Sequence, residues 1–170
     1  MATIRTGNRS ALLIVDVQVG VVAAAGDISR QLDHITFAVR RARDAGVPII
    51  WVQHDDEELP KGSPEWQWVP ALVPQPGDVR VYKQFNSSFE RTTLEAELAA
   101  CGVSHIVLCG AVTSWCIRAT AYDGQCLRLH APRYPSSPSS HAFCMQLLAG
   151  PAGPGPAAAQ RQRRTACSCH

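Results

Sequence analysis

Three runs of apolar residues with abrupt ends constrain the fold of this chain more than any other feature. Ala11-Leu12-Leu13-Ile14-Val15 stops at Asp16, Pro48-Ile49-Ile50-Trp51-Val52 leads into Gln53, and Ile106-Val107-Leu108-Cys109 stops at Gly110. None alternates polar with apolar residues, so each suits a strand buried on both faces, as strands of a parallel sheet are. Between the first two, Leu32, Ile35, Val39 and Ala42 recur at helical spacing with arginines between them, and Gly46 ends the pattern. This is a βαβ unit, and its crossover should be right-handed. Val79 to Lys83 reads as a shorter strand, and residues 54–78 as a long proline-punctuated loop. Thr92 with Glu95 fits a capping box on a helix that Gly102 closes. The order of elements implies a three-layer αβα fold around a mainly parallel sheet.

The chain has 170 residues, one domain's worth, and 46% of them are apolar, enough for a real core. Its character changes after Tyr122. Residues 123–170 hold 1 acidic and 5 basic side chains, 6 of the 12 prolines and 4 of the 7 cysteines. The expected division is therefore a folded unit over 1–122 and an atypical Pro/Ser/Gly/Arg-rich tail over 123–170. The tail is expected to be disordered. Asp123-Gly124 reads as a turn, and only Phe143 to Leu148 reads as able to form a helical turn. One or more C-terminal strands are then expected to be missing from the sheet. The tail's composition resembles GC-rich coding sequence read in a shifted frame.

No apolar leader or membrane-length run is visible, so a cytoplasmic location without membrane contact is expected. Seven cysteines at irregular spacings then read as reduced thiols. The RQRR run lacks interleaved aromatics, which argues against nucleic acid, and no glycine-rich phosphate loop is present. The expected partner is a small-molecule substrate, with no cofactor; a homo-oligomer is left open.

The chemistry concentrates in HIVLCGAVTSWCIRATAY, residues 105–122. A strand, a tight turn and a thiol, Cys116, in the first turn of a helix make an arrangement that favours thiolate over thiol, because helix N-termini carry partial positive charge. Open α/β sheets build their sites at the carboxyl ends of strands. Asp16, Lys83 and Cys116 all fall at such ends, and an acid, an ammonium and a thiol there form a coherent nucleophilic site. Taken singly, each has a plainer reading: Asp16 as a helix cap, Lys83 as a solvated lysine, Cys116 as a small buried hydrophobe. Cys101 and Cys109 read as ordinary apolar positions, and a redox bridge between Cys109 and Cys116 is a weak third reading.

Val15-Asp16-Val17-Gln18, then Lys83 within VYKQFNSSF, then GAVTSWCIRAT resemble the isochorismatase-like cysteine hydrolases. These include nicotinamidases, N-carbamoylsarcosine amidohydrolases and ureidoacrylate hydrolases. The resemblance covers roughly residues 10–122 and breaks at Asp123. It implies a catalytic triad of Cys116, Asp16 and Lys83, with an oxyanion hole at the backbone amides of Val112 and Cys116. The implied reaction is hydrolysis of a C–N bond in a small amide, ureide or carbamoyl compound through a Cys116 thioester. The alternative is a catalytically impaired homologue or truncated product that acts at most as an interaction subunit.

Further positions are open to two readings. Trp66 and Trp68 either wall a substrate pocket or pack, and Gln18 and Phe85 are weaker pocket candidates. Nicotinamidases of that family carry a metal on an Asp-x-His pair and a later His. Here the chain offers Gln53-His54-Asp55 with no histidine until His105. The expectation is no metal and a solvated acidic loop around His54 to Glu58.

Overall fold

The apolar runs form the middle of a five-stranded sheet in a computed structural model that describes residues 8–24, 28–111, 113–126 and 143–148. In chain order the elements are β1 (Arg9–Val15), α1 (Val19–Ala24), α2 (Ser29–Asp44), β2 (Ile49–His54), β3 (Val79–Lys83), α3 (Leu94–Ala100) and β4 (Val103–Gly110). A π-helical turn (Thr113–Ile117), α4 (Arg118–Cys126) and β5 (Phe143–Leu148) follow. The strand order is β3-β2-β1-β4-β5. The first four are parallel, with Leu13 facing Ile50 and Leu108 across the two ladders around β1. This is the αβα class with a mainly parallel sheet that the runs implied.

The core lies in two layers. On one face Leu12, Ile14, Ile49 and Trp51 meet Ile35, Val39 and Ala42 of α2. On the other, Leu13, Val15, Ile50, Val52 and Leu108 meet Leu94 and Leu98 of α3, Ile117 of the π-helical turn and Ala121 of α4. Continuous apolar strands are needed because both faces are covered.

Three expectations are corrected here. Phe143–Leu148 is a strand, antiparallel to β4, with Phe143 opposite Gly110 and Leu148 opposite His105. An apolar hexapeptide satisfies its backbone groups best on the open edge of β4, and that edge is a tertiary feature no local pattern reveals. Asp123-Gly124 is no turn; α4 runs through both to Cys126. Thr92 does not form the capping box. Its hydroxyl donates to Ser88 O at 2.5 Å and accepts the N–H of Leu94 at 3.2 Å, and the helix opens after Thr93 without a side-chain cap. The remaining tail readings, over 127–142 and 149–170, lie outside the described residues.

The long loop after β2 is pinned rather than loose. Main-chain bonds join Val19 N to Gln67 O, Gly20 N to Glu65 O and Val69 N to Val17 O. Asp78 closes the far end, accepting Trp51 Nε1–H at 2.8 Å and pairing with Arg43 at 2.9 Å.

Candidate active site

The strand order reverses at β1: the chain moves outward to β2 and β3 on one side, then returns to β4 on the other. Such a switch point leaves a crevice above the carboxyl ends of the two diverging strands. Asp16 follows β1 directly. Its backbone is left-handed, with φ 54°, while its N–H bonds Val52 O at 2.9 Å. That turn of the chain is uncommon for a residue with a side chain and aims the carboxylate into the crevice rather than along the strand.

Across the crevice, Gly110 ends β4 opposite Val15. A Cβ there would sit 2.0 Å from Val15 O, so only glycine fits. The next amide, Ala111 N–H, bonds that same oxygen at 3.0 Å. The close approach folds the turn after β4 over the end of β1. It delivers Cys116, the fourth residue of the π-helical turn, beside Asp16. Ile117, buried against β1 and β4, anchors the turn from below.

Lys83 ends β3, two strands away, and its side chain reaches inward with none of its surface exposed. The ammonium lies 2.8 Å from Asp16 Oδ2 and donates to Cys116 Sγ at 3.3 Å, Phe85 O at 3.2 Å and His54 Nδ1 at 3.3 Å. The contact to Asp16 is an ion pair set off the line of a hydrogen bond, and neither carboxylate oxygen has an aligned N–H or O–H donor among the described residues. A buried carboxylate and a buried ammonium each demand a partner, and here they have one another. The three residues read from the sequence therefore meet at one point.

The thiol is not the low-pKa group that its place in the first turn of a helix suggested. Burial first, and the negative charge of Asp16 second, push Cys116 up from the ordinary thiol value of 9.0 to about 12, with Lys83 acting in the opposite sense. A single π-helical turn and one neighbouring cation do not offset desolvation by the packed surroundings. The resting group is a neutral thiol hydrogen-bonded to its neighbours.

Around this centre the other expectations divide. Val112, one of the two amides assigned to an oxyanion hole, lies outside the described residues. Gln18 is fully buried, and its amide is spent on main chain: Oε1 accepts His54 N–H at 2.8 Å, and Nε2 donates to His54 O at 2.9 Å and Trp66 O at 3.0 Å. Trp68 packs edge-on against Trp51, with ring centroids 5.2 Å apart, and belongs to the core layer under α2. Trp66 stacks on Tyr82 at 6.1 Å, on the outer strand. Phe85 borders a cavity of about 480 Å³ at the rim, shared with Asp55, Lys61, Tyr82, Lys83, Gln84 and Arg91. Cys101 and Cys116 are free thiols, whereas Cys109 is disulfide-bonded, contrary to the expectation of reduced cysteines. Cys116 is thus in no bridge with Cys109.

Two features escaped sequence reasoning. His54 touches Lys83; the signal, a histidine ending an apolar strand, was visible, but its partner was not. Thr120 on α4 accepts the N–H of Ser88 and donates to Ser88 Oγ, both at 2.9 Å. That pair ties α4, the helix that follows Cys116, to the loop whose Phe85 carbonyl holds the ammonium. Among the described residues, no group of three His, Cys, Asp or Glu side chains is placed to hold a metal ion.

A parallel αβα sheet with an acid, an ammonium and a thiol at its switch point defines a class, that of the α/β hydrolytic enzymes with a cysteine beyond the carboxyl ends of the strands. Residues 10–125 match the isochorismatase domain model. The chain belongs to the isochorismatase family of hydrolases. Its fold resembles that of an isochorismatase family protein at 30% identity and TM-score 0.62, covering 69% of this chain and 73% of that one. A cysteine hydrolase from Pseudomonas syringae pv. phaseolicola matches at 28% identity and TM-score 0.63, covering 69% of this chain and 66% of that one. The N-carbamoylsarcosine amidase of Thermoplasma acidophilum matches at 25% identity and TM-score 0.61, covering 68% and 75%. The chain thus spans about two thirds to three quarters of the length of these relatives. No described helix is long and apolar enough to cross a membrane.

Proposed function

We propose that this protein is a cysteine hydrolase that cleaves the C–N bond of a small amide, ureide or carbamoyl compound through a Cys116 thioester. One observation carries the reading: a single buried ammonium, Lys83 Nζ, stands 3.3 Å from Cys116 Sγ and 2.8 Å from Asp16 Oδ2. The similarity to an N-carbamoylsarcosine amidase supports this class of bond, and the similarity to a cysteine hydrolase supports a thiol nucleophile.

Because the thiol holds its proton to about pH 12, attack and proton transfer run together. Asp16 takes the proton as the sulfur closes on the substrate carbonyl, and the S–C bond forms. The carbonyl oxygen becomes an oxyanion, for which the amides of Val112 and Cys116 are the candidate donors. As that oxyanion collapses the C–N bond breaks, and Asp16 returns its proton to the leaving nitrogen. Water then attacks the thioester and gives a proton to Asp16. The S–C bond breaks, the acid or carbamate leaves, and the sulfur recovers the proton. Throughout, Lys83 offsets the negative charge that moves between carboxylate and sulfur in a site where low polarity magnifies it.

The same reading includes a small-molecule substrate, no metal and no cofactor, and a cytoplasmic setting, with a homo-oligomer left open. The test is a screen of primary amides, ureides and N-carbamoyl amino acids with wild type and Cys116→Ala. Turnover by the wild type alone supports the mechanism. Equal turnover by both rejects it.

A further inference from the structure

An ammonium has three N–H bonds, and in this site each already has an acceptor. One goes to Phe85 O, one to Cys116 Sγ and one to His54 Nδ1. Asp16, at 2.8 Å, is left with the off-axis ion pair. The Lys83 side chain is fully buried, so water cannot replace an acceptor that is lost. The aim of the ammonium at the sulfur therefore depends on the imidazole.

That imidazole is held at three points. Gln18 clasps its main chain on both sides. Nδ1 faces Lys83, and Nε2 lies 2.9 Å from Asp56 Oδ2. To accept from Lys83 the ring must carry its proton on Nε2, where the Asp56 carboxylate receives it. Asp56 is fixed in turn, because its Oδ1 accepts the N–H groups of Glu58 at 2.9 Å and Leu59 at 2.8 Å. The contact also holds the Asp56 carboxyl below its usual range. The charged and titratable groups around the ring are Lys83 from β3 and Asp56 from the loop. Across the ammonium stand Asp16, directly after β1, and Cys116 from the π-helical turn.

The geometry points to His54, oriented by Asp56, as a positioning residue that aims Lys83 at Cys116 only while Nδ1 is unprotonated. The inference rests on the proposed roles of Lys83 and Cys116. A proton on Nδ1 removes the lone pair and sets an imidazolium against the ammonium. Lys83 then turns toward Asp16 and away from the sulfur. The His54 ring retains 16% exposure, so solvent protons reach it, whereas they do not reach Lys83. The pair is a pH-sensitive element beside the nucleophile, built from a side chain that touches no reacting atom.

The test uses the full chain and iodoacetamide, with alkylation of Cys116 followed by peptide mass spectrometry across pH. His54→Leu should slow Cys116 alkylation about tenfold near pH 8.5, the worth of one hydrogen bond to a charged group. His54→Asn supplies a carbonyl oxygen at the place of Nδ1 that does not titrate, and should stay within about threefold of wild type there. The ratio of wild-type to His54→Asn rates should fall at least about threefold between pH 8.5 and pH 6, the range in which histidine changes charge. A constant or rising ratio overturns the inference, as does wild-type labelling of His54→Leu. If His54→Leu does not fold, the Asn ratio alone decides. Lys83→Met separates the two levels: wild-type labelling of that variant rejects the role of Lys83 itself. Slowed labelling there with unchanged His54 variants rejects only the positioning role.

Discussion

The side-chain amide of Gln18 closes a ring on the main chain of His54, accepting its N–H at 2.8 Å and donating to its C=O at 2.9 Å. Gln18, two residues after the first strand's acid, thus fixes the exit of the second strand. A third bond, to Trp66 O, ties in the long loop, which Gln53 Nε2 also reaches at 2.7 Å. Replacing Gln18 by Leu leaves these buried main-chain groups unpaired. Urea denaturation should show a loss of about 2–4 kcal/mol, the summed cost of several orphaned polar groups. An unchanged midpoint would mean that water enters and repairs the bonds.

Gly110 offers a sharper steric case. An added methyl would stand 2.0 Å from Val15 O and 3.0 Å from Ile117 Cδ1. Neither strand can yield, since Val15 and Gly110 are ladder partners in the sheet centre. Gly110→Ala should cost more than about 4 kcal/mol, most of the roughly 5 kcal/mol that holds a domain at the low end of ordinary stability. Circular dichroism and yield of soluble protein check this; a cooperative, wild-type-like melt would contradict it.

Charge substitutions around Cys116 should move its titration in opposite directions. Asp16 raises the thiol's pKa and Lys83 lowers it. Asp16→Asn should therefore bring the midpoint below about 12, and Lys83→Met should push it higher. The thiolate's ultraviolet absorbance reports this once a Cys116→Ala spectrum is subtracted to remove the other thiols. Asp16→Asn should lose turnover even as its thiol becomes more acidic, because the proton acceptor is gone. Parallel shifts in the two variants would refute the assignment of causes.

The same thiol makes stability depend on alkaline pH. Its folded value, about 12, lies above the ordinary 9.0, so between these limits the native chain keeps a proton that the unfolded chain has released. Stability from this group is complete below pH 9 and falls as pH rises toward 12, by at most about 1.4 kcal/mol per unit. Cys116→Ala should remove that part of the slope. The readout is the difference between wild-type and variant denaturation midpoints as pH is raised above 9, and parallel curves would exclude the linkage.

Much of this molecule was legible in order along the chain. Ala11 to Val15 and Ile106 to Cys109 declared buried strands because nothing polar interrupts them, and burial on both faces is a local requirement written in composition. Asp16 and Lys83 stood out because each closes a strand and Cys116 because it follows one, and strand ends of a parallel sheet share one rim. Phe143 to Leu148 was not legible, since a hexapeptide takes the conformation its neighbour's free edge imposes. The run of α4 through Asp123-Gly124 was hidden for a related reason: local turn propensity is weaker than the packing of Ile117 and Ala121 on the sheet.

The sequence by itself determined the layers, the parallel core and the three side chains that meet at the switch point, because periodicity and strand ends depend on near neighbours alone. Tertiary structure decided how those side chains behave. It raised the thiol's pKa by burying it beside Asp16, turned Gln18 from a pocket residue into a clasp and set His54 against Lys83. Desolvation and contacts between distant strands exist only after folding, so no reading along the chain contains them.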